Sequence, residues 1–184
     1  MRVLGISGSL RRGSHNTALL RAAADLLPLG AELVEFERLG ALPSYDADLD
    51  VEPAPAAVAE LRAEIERADA LLISTPEYNA SIPGVLKNAV DWASRPFPGN
   101  AFRTKPVLVV GASTGVFGAV WAQAALRRVL AHVGARVMDS ALPVASAAEA
   151  WNEDGTLRDP AIADRLSGQL AELIAGAEPE SVAA

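Results

Sequence analysis

Apolar residues in this chain follow two patterns that take turns. Residues 3–7, 33–36, 70–75 and 106–111 are short runs that are largely apolar, and a weaker run lies within 136–144. Continuous apolarity over so few residues reads as a strand covered on both faces, not as one with a wet side. Between the runs the apolar positions recur at helical spacing. Leu19, Ala22, Ala23 and Leu26 share one face, then Val58, Leu61 and Ile65, then Leu86, Ala89, Val90 and Ala93. Ala122, Leu126, Val129, Leu130 and Val133 form the next stripe, and Ile162, Leu166, Leu170 and Leu173 the last. Each stripe predicts an amphipathic helix packed on a sheet.

Strand and helix therefore alternate five times, which calls for right-handed crossovers and a parallel sheet. The expected fold is α/β: a flavodoxin-like, doubly wound, five-stranded parallel sheet of order 2-1-3-4-5, with helices on both faces. In such a sheet ligands bind beyond the carboxyl ends of the strands, beside the point where strand order reverses, so the loops after strands 1, 3 and 4 carry the chemistry. No internal repeat or dividing linker interrupts the chain. One domain is expected over residues 1–176, with a long surface loop at 44–55 and a flexible, small-residue tail at 177–184.

Composition narrows the chemistry. A net charge of -7 argues against nucleic acid, whose binders neutralise phosphates with clustered Lys and Arg. The apolar start at residues 3–6 is too short for a secretory leader, and no later segment approaches the roughly 20 apolar residues of a spanning helix, so a soluble cytoplasmic protein with no membrane partner is expected. With no cysteine and two isolated histidines, His15 and His132, neither thiolate chemistry nor a metal centre is expected. Carboxylates, hydroxyls or an imported cofactor remain.

Three loops stand out. GSLRRGSHNT, residues 8–17, joins the first strand to the first helix with two glycines, two arginines and a run of hydroxyl and amide side chains. Gly8 and Gly13 permit close backbone approach, Ser14 suits an N-cap or an anion ligand, and the helix start offers free N–H groups at the positive end of its dipole. Ser9, Arg11, Ser14, Asn16 and Thr17 add donors, with Arg11 carrying the charge a phosphate needs. An ordinary capped turn is the alternative. The loop matches neither G-x-G-x-x-G nor G-x-x-x-x-G-K-[ST]. TPEYNASIPGVLKNAVDWASR, residues 75–95, sets Pro76, Glu77, Tyr78 and Asn79 directly after a central strand, a polar and aromatic edge suited to a flat ring. Tyr78 capping the core and Asn79 making a local turn is the plainer reading. GASTGVFGAVWAQAALRRVL, residues 111–130, brings Ser113, Thr114 and Gly115 before a helix whose start favours an electron-rich group, a signal also met in purely structural turns.

These three motifs, in this order and spacing, resemble the NADPH-dependent FMN reductase family, flavodoxin-like proteins that include quinone, azo-dye and chromate reductases. The resemblance runs from residue 1 to about residue 146. It implies that Ser9, Arg11, Ser14, Asn16 and Thr17 grip the FMN phosphate, that Pro76, Glu77, Tyr78 and Asn79 border the isoalloxazine ring, and that Ser113, Thr114 and Gly115 complete the site. It further implies hydride transfer from NADPH or NADH to bound FMN, onward delivery to a small diffusible acceptor, and a homodimer or homotetramer with the flavin near the interface. No side chain is expected to be catalytic, since the flavin supplies the chemistry; Glu77 reads either as a general acid or as a loop brace. Phe117 to Trp121 departs from the glycine pair and following arginine of many relatives. Trp92, Phe97, Phe102 and Trp121 either cover a neighbour's site or belong to this chain's core and surface. WNEDGTLRDP, residues 151–160, resembles the family's closing turn into the last helix. A flavodoxin-type electron carrier and a non-redox phosphometabolite binder are the competing readings.

Overall fold

A computed structural model describes residues 1–178. The elements are β1 (Arg2–Ser7), α1 (His15–Asp25), β2 (Glu32–Glu35), α2 (Ala56–Arg67), β3 (Ala70–Ser74), α3 (Gly84–Ala93), β4 (Pro106–Ala112), α4 (Val120–His132), β5 (Arg136–Val137), β6 (Leu142–Val144) and α5 (Pro160–Ala177). All strand pairs are parallel, in the order β2-β1-β3-β4-β5, with β6 also on β4. This is the expected flavodoxin-like doubly wound sheet.

The expected fifth strand is the one element that differs, because it is two short strands on the two halves of β4. Met138 still donates to Val107 O, at 2.9 Å, before the chain leaves the sheet. Across the gap, side chains take over from the ladder. Arg127 donates to Ser140 O at 2.7 Å, Arg165 to Ala141 O at 3.0 Å, and Leu142 N–H to Gln123 Oε1 at 3.0 Å. Buried backbone groups must be paired, and here α4 and α5 supply the pairing.

Period-two alternation divides the core. Leu4, Ile6, Leu71, Ile73, Val107 and Val109 face α2, α3 and α4, whereas Val3, Leu72, Leu108 and Val110 face α1 and α5. Residues this buried contribute about 1.5–3 kcal/mol each for a fully covered Val, Leu or Ile, which makes the sheet a rigid base for its loops. Trp92 and Phe102 belong to the first of these clusters, so neither covers a neighbouring site. The indole N–H of Trp92 donates to Pro43 O at 2.8 Å, and Tyr45 packs edge-on against its ring at 5.0 Å. That pins the long loop after β2 to α3. Phe97 and Trp121 are exposed.

α5 begins as the closing-turn sequence implies, with the Asp159 side chain accepting from Ala161 N and Pro160 opening the helix. It extends through Ala177, one residue into the expected tail, and residues 179–184 lie outside the described residues. Among the described residues, no helix is long and apolar enough to cross a membrane.

Gln123 generates a stability prediction. Its buried amide accepts from Leu142 N and donates to Gly118 O at 3.0 Å, tying α4 to β6 and to the loop before it. Gln123→Leu strands both backbone groups, and each buried unpaired group costs about 1–3 kcal/mol. Urea denaturation is expected to show that loss; an unchanged midpoint would contradict it.

Candidate functional site

The loops after β1, β3 and β4 meet at the carboxyl edge of the sheet around a crevice of about 300 Å³. Its wall contains Ser9, Arg11, Ser14 and Asn16 from the first loop and helix, Pro76, Glu77 and Tyr78 from the second, and Ser113 and Thr114 from the third. Thr17, Asn79 and Gly115 are not part of that wall.

The first loop is pressed onto the second. Gly8 N–H donates to Ser74 O at 2.8 Å, and a Cβ on Gly8 would stand 3.1 Å from the Pro76 ring, so a side chain there would push the loops apart. Ser14 is the N-cap of α1, its Oγ accepting from Asn16 N and Thr17 N. A hydroxyl that accepts twice still has its own proton to donate. The N–H groups of Gly13 and His15 have no acceptor among the described residues, and they stand at the positive end of α1. Arg11 is exposed at the same crevice.

Asn16 is otherwise employed. Its buried amide accepts from Ser74 Oγ at 2.9 Å and Ala112 N at 3.0 Å, and donates to Ala112 O at 3.0 Å. It thereby fastens α1 to the ends of β3 and β4. Thr17 Oγ1 donates to Ser7 Oγ at 2.9 Å and lines an adjoining, smaller hollow that shares Ser9 and Arg11 with the crevice and adds Arg12 and Arg21. Both residues hold the cradle in shape from within.

In the second loop, Tyr78 and Ser81 exchange two backbone hydrogen bonds, 3.0 and 3.1 Å, around Asn79 and Ala80, whose φ values are 52° and 58°. Positive φ at both central residues is the tight hairpin geometry that Asn favours. Asn79 occupies the tip of this turn, which presents Tyr78, 54% exposed, at the crevice mouth. Glu77 points to α4, and its Oε2 accepts from Trp121 N at 3.0 Å and Ala122 N at 3.1 Å. The helix lacks a side-chain cap of its own, because Ala119 stands at the capping position with φ 61°. Glu77 is thus a loop brace, and the start of α4, expected to favour a ligand, is already occupied by this carboxylate.

The third loop is closed down in the same way. Gly115 N–H donates to Ser113 Oγ, and its carbonyl accepts from Ser146 N, both at 3.1 Å. Gly118 has φ 56°, and a Cβ there would lie 2.7 Å from Val144 N, so only glycine allows this loop to lie on β6. Phe117 and Trp121 pack edge-to-face at 4.8 Å on the surface beyond.

A sequence profile of the NADPH-dependent FMN reductases matches residues 1–149. An NAD(P)H-dependent FMN reductase of Pseudomonas aeruginosa is 42% identical over 94% of this chain and 93% of its own. A quinone reductase of Escherichia coli is 38% identical over 92% of each. Among solved structures, the flavoenzyme NAD(P)H:(acceptor) oxidoreductase FerB of Paracoccus denitrificans superposes with a TM-score of 0.84, is 40% identical and is matched over 96% of both chains. The chain belongs to the NADPH-dependent FMN reductase family. It is an FMN-dependent NAD(P)H oxidoreductase, and the carrier and non-redox readings are set aside.

The donor set of this reductase fits FMN: N–H groups without an acceptor among the described residues stand at the start of α1, and hydroxyls and the Arg11 guanidinium share one crevice with Pro76 and Tyr78. His15, one of the two isolated histidines, also lines the crevice. Its Nδ1 accepts from Trp151 Nε1 at 3.2 Å, a contact across 136 positions that no local pattern signals. Burial, and secondarily the Arg11 charge, hold its imidazole below the usual range.

Two predictions follow from these contacts. Glu77→Ala leaves α4 uncapped and is expected to cost about 0.5–2 kcal/mol, the range for losing a cap, with Glu77→Gln costing less; equal stability of Glu77→Ala and the parent would contradict the brace. The lowered His15 pKa means that the unfolded chain takes up its proton first. Stability is therefore whole above about pH 6.5, the unfolded value, and declines as pH falls through the lower folded value. Denaturation without added flavin, compared for the parent and His15→Gln across that window, is expected to show a shallower decline in the variant.

Proposed function

We propose that this reductase anchors the FMN monophosphate at the start of α1, through Ser9, Arg11, Ser14 and the exposed N–H groups, and lays the ring against Pro76 and Tyr78. The observation that carries the assignment is the unpaired N–H groups of Gly13 and His15 beside Arg11, in the same crevice as Tyr78. The α4 start, which follows the third crevice loop, is neutralised by Glu77 and offers an anion no comparable place. FMN, when bound, supplies the redox chemistry, taking hydride from NADPH or NADH and passing two electrons to the acceptor.

The chain's own part is to bind and orient. Arg11 and the helix dipole balance the phosphate charge. Asn16 and Thr17 keep the cradle rigid from below, and Asn79 shapes the turn that presents Tyr78. Ser113 and Thr114 line the third side, and Gly115 holds their loop in register with residue 146. The exposed Tyr78 at an open mouth suits flat, diffusible acceptors, with quinones and free flavins ahead of azo compounds and chromate. The reductase works in the cytoplasm, where reduced nicotinamides are found, as a homodimer or homotetramer. A groove of about 480 Å³ between α3 and α4, with the exposed Phe97 at its edge, supports self-association.

Arg11→Ala is expected to weaken FMN binding by about 1.5–3 kcal/mol, the value of a hydrogen bond to a charged group. Flavin fluorescence titration measures it. Anaerobic addition of NADPH to the FMN-loaded parent is expected to bleach the flavin absorbance rapidly; an unchanged dissociation constant in the variant would place the phosphate elsewhere.

A further inference from the structure

The segment after β6 reaches back across the molecule to the phosphate cradle. Trp151 is held firmly there. It forms a bridge with Leu157, its carbonyl accepts from Arg158 Nη2 at 3.0 Å, and Asn152 N donates to Thr156 O at 2.9 Å in the turn beyond. From this base its indole N–H donates to His15 Nδ1. An indole nitrogen only donates, so Nδ1 is the unprotonated nitrogen and the ring proton is on Nε2.

That leaves a defined donor with nothing to donate to. Nε2 has no hydrogen-bond partner among the described residues, and His15 shares the crevice wall with Ser9, Arg11 and Ser14. Arg11 lines the same crevice, and its charge adds to burial in disfavouring a protonated imidazole. Protonating the ring would put hydrogens on both nitrogens and break the bond from Trp151. The arrangement therefore favours a neutral ring that adds a directed N–H beside the guanidinium without adding a second cation.

We propose that His15 is a further ligand of the FMN monophosphate, donating its Nε2–H to a phosphoryl oxygen, and that Trp151 is the residue that positions this donor by fixing the tautomer. The proposal rests on the assignment of the 8–17 loop as the phosphate cradle. It gives the closing turn, otherwise a structural connection into α5, a part in selecting a phosphorylated flavin over riboflavin.

The test compares FMN with riboflavin, which lacks the phosphate, by fluorescence titration of the full chain. His15→Phe is expected to weaken FMN about tenfold and leave riboflavin unchanged, as befits one lost hydrogen bond to a charged group. His15→Gln, whose amide nitrogen reaches the Nε2 position, is expected to recover most of that loss, and Trp151→Phe to lose roughly threefold on the same scale. Long-range proton–nitrogen NMR spectra of the parent are expected to show His15 with its proton on Nε2, and those of Trp151→Phe a mixture of tautomers. A purely structural Trp151 would change thermal stability without moving that signature. Unchanged FMN affinity in His15→Phe, with Arg11→Ala still losing FMN and not riboflavin, overturns the role of His15 and leaves the cradle standing. A parent spectrum with the proton on Nδ1 overturns the tautomer lock. If Arg11→Ala alters neither affinity, or both alike, the cradle itself falls, and this proposal with it.

Discussion

The site depends on one buried amide. Asn16, in the first turn of α1, holds Ser74 at the end of β3 and both backbone groups of Ala112 at the end of β4. Away from water, three such bonds are electrostatically stronger than on the surface, and losing any one would strand a polar group. The amide therefore fixes where the positive end of α1 stands relative to the sheet. The N–H groups of Gly13 and His15 and the hydroxyl of Ser14 have their direction from that fixed point.

α1 and α4 both begin beside this crevice, and their caps differ in charge. α1 is capped by a neutral hydroxyl, so its terminal positive potential is not cancelled. α4 is capped across space by the carboxylate of Glu77, which consumes two N–H groups and brings its own negative charge. A phosphate approaching this edge is drawn to α1 and repelled at α4. The same carboxylate ties the loop that carries Tyr78 to the start of α4. Charge placement and loop stiffness come from a single side chain.

The molecule also draws its C-terminal part into the site without giving it a strand at the crevice. Gln123 and the arginines of α4 and α5 meet the backbone where the last strand breaks, and the turn that follows carries Trp151 to His15. In an open sheet the edge strand has a partner on one side only, so short pieces suffice there and the chain between them is available for other contacts.

By itself the sequence determined the layers, the strand order, the three loops and the type of ligand they suit. Those properties follow from period and local chemistry: which residues are apolar at spacing two or three to four, and which loops carry glycine, hydroxyls and arginine. Only the tertiary structure decided what each polar side chain does. Asn16 and Arg11 belong to the same loop-to-helix motif, look equally fit to hold a phosphate and both line the crevice, yet the Asn16 amide bonds to β3 and β4 while the Arg11 guanidinium has no such partner among the described residues. Glu77 reads as acid or brace until α4 is placed against it, and His15 gains a defined tautomer only when a residue 136 positions away arrives. A hydrogen-bonding group carries no local mark of whether its partner will be backbone, another side chain or a ligand, and that choice is made by packing over distances the linear pattern does not encode.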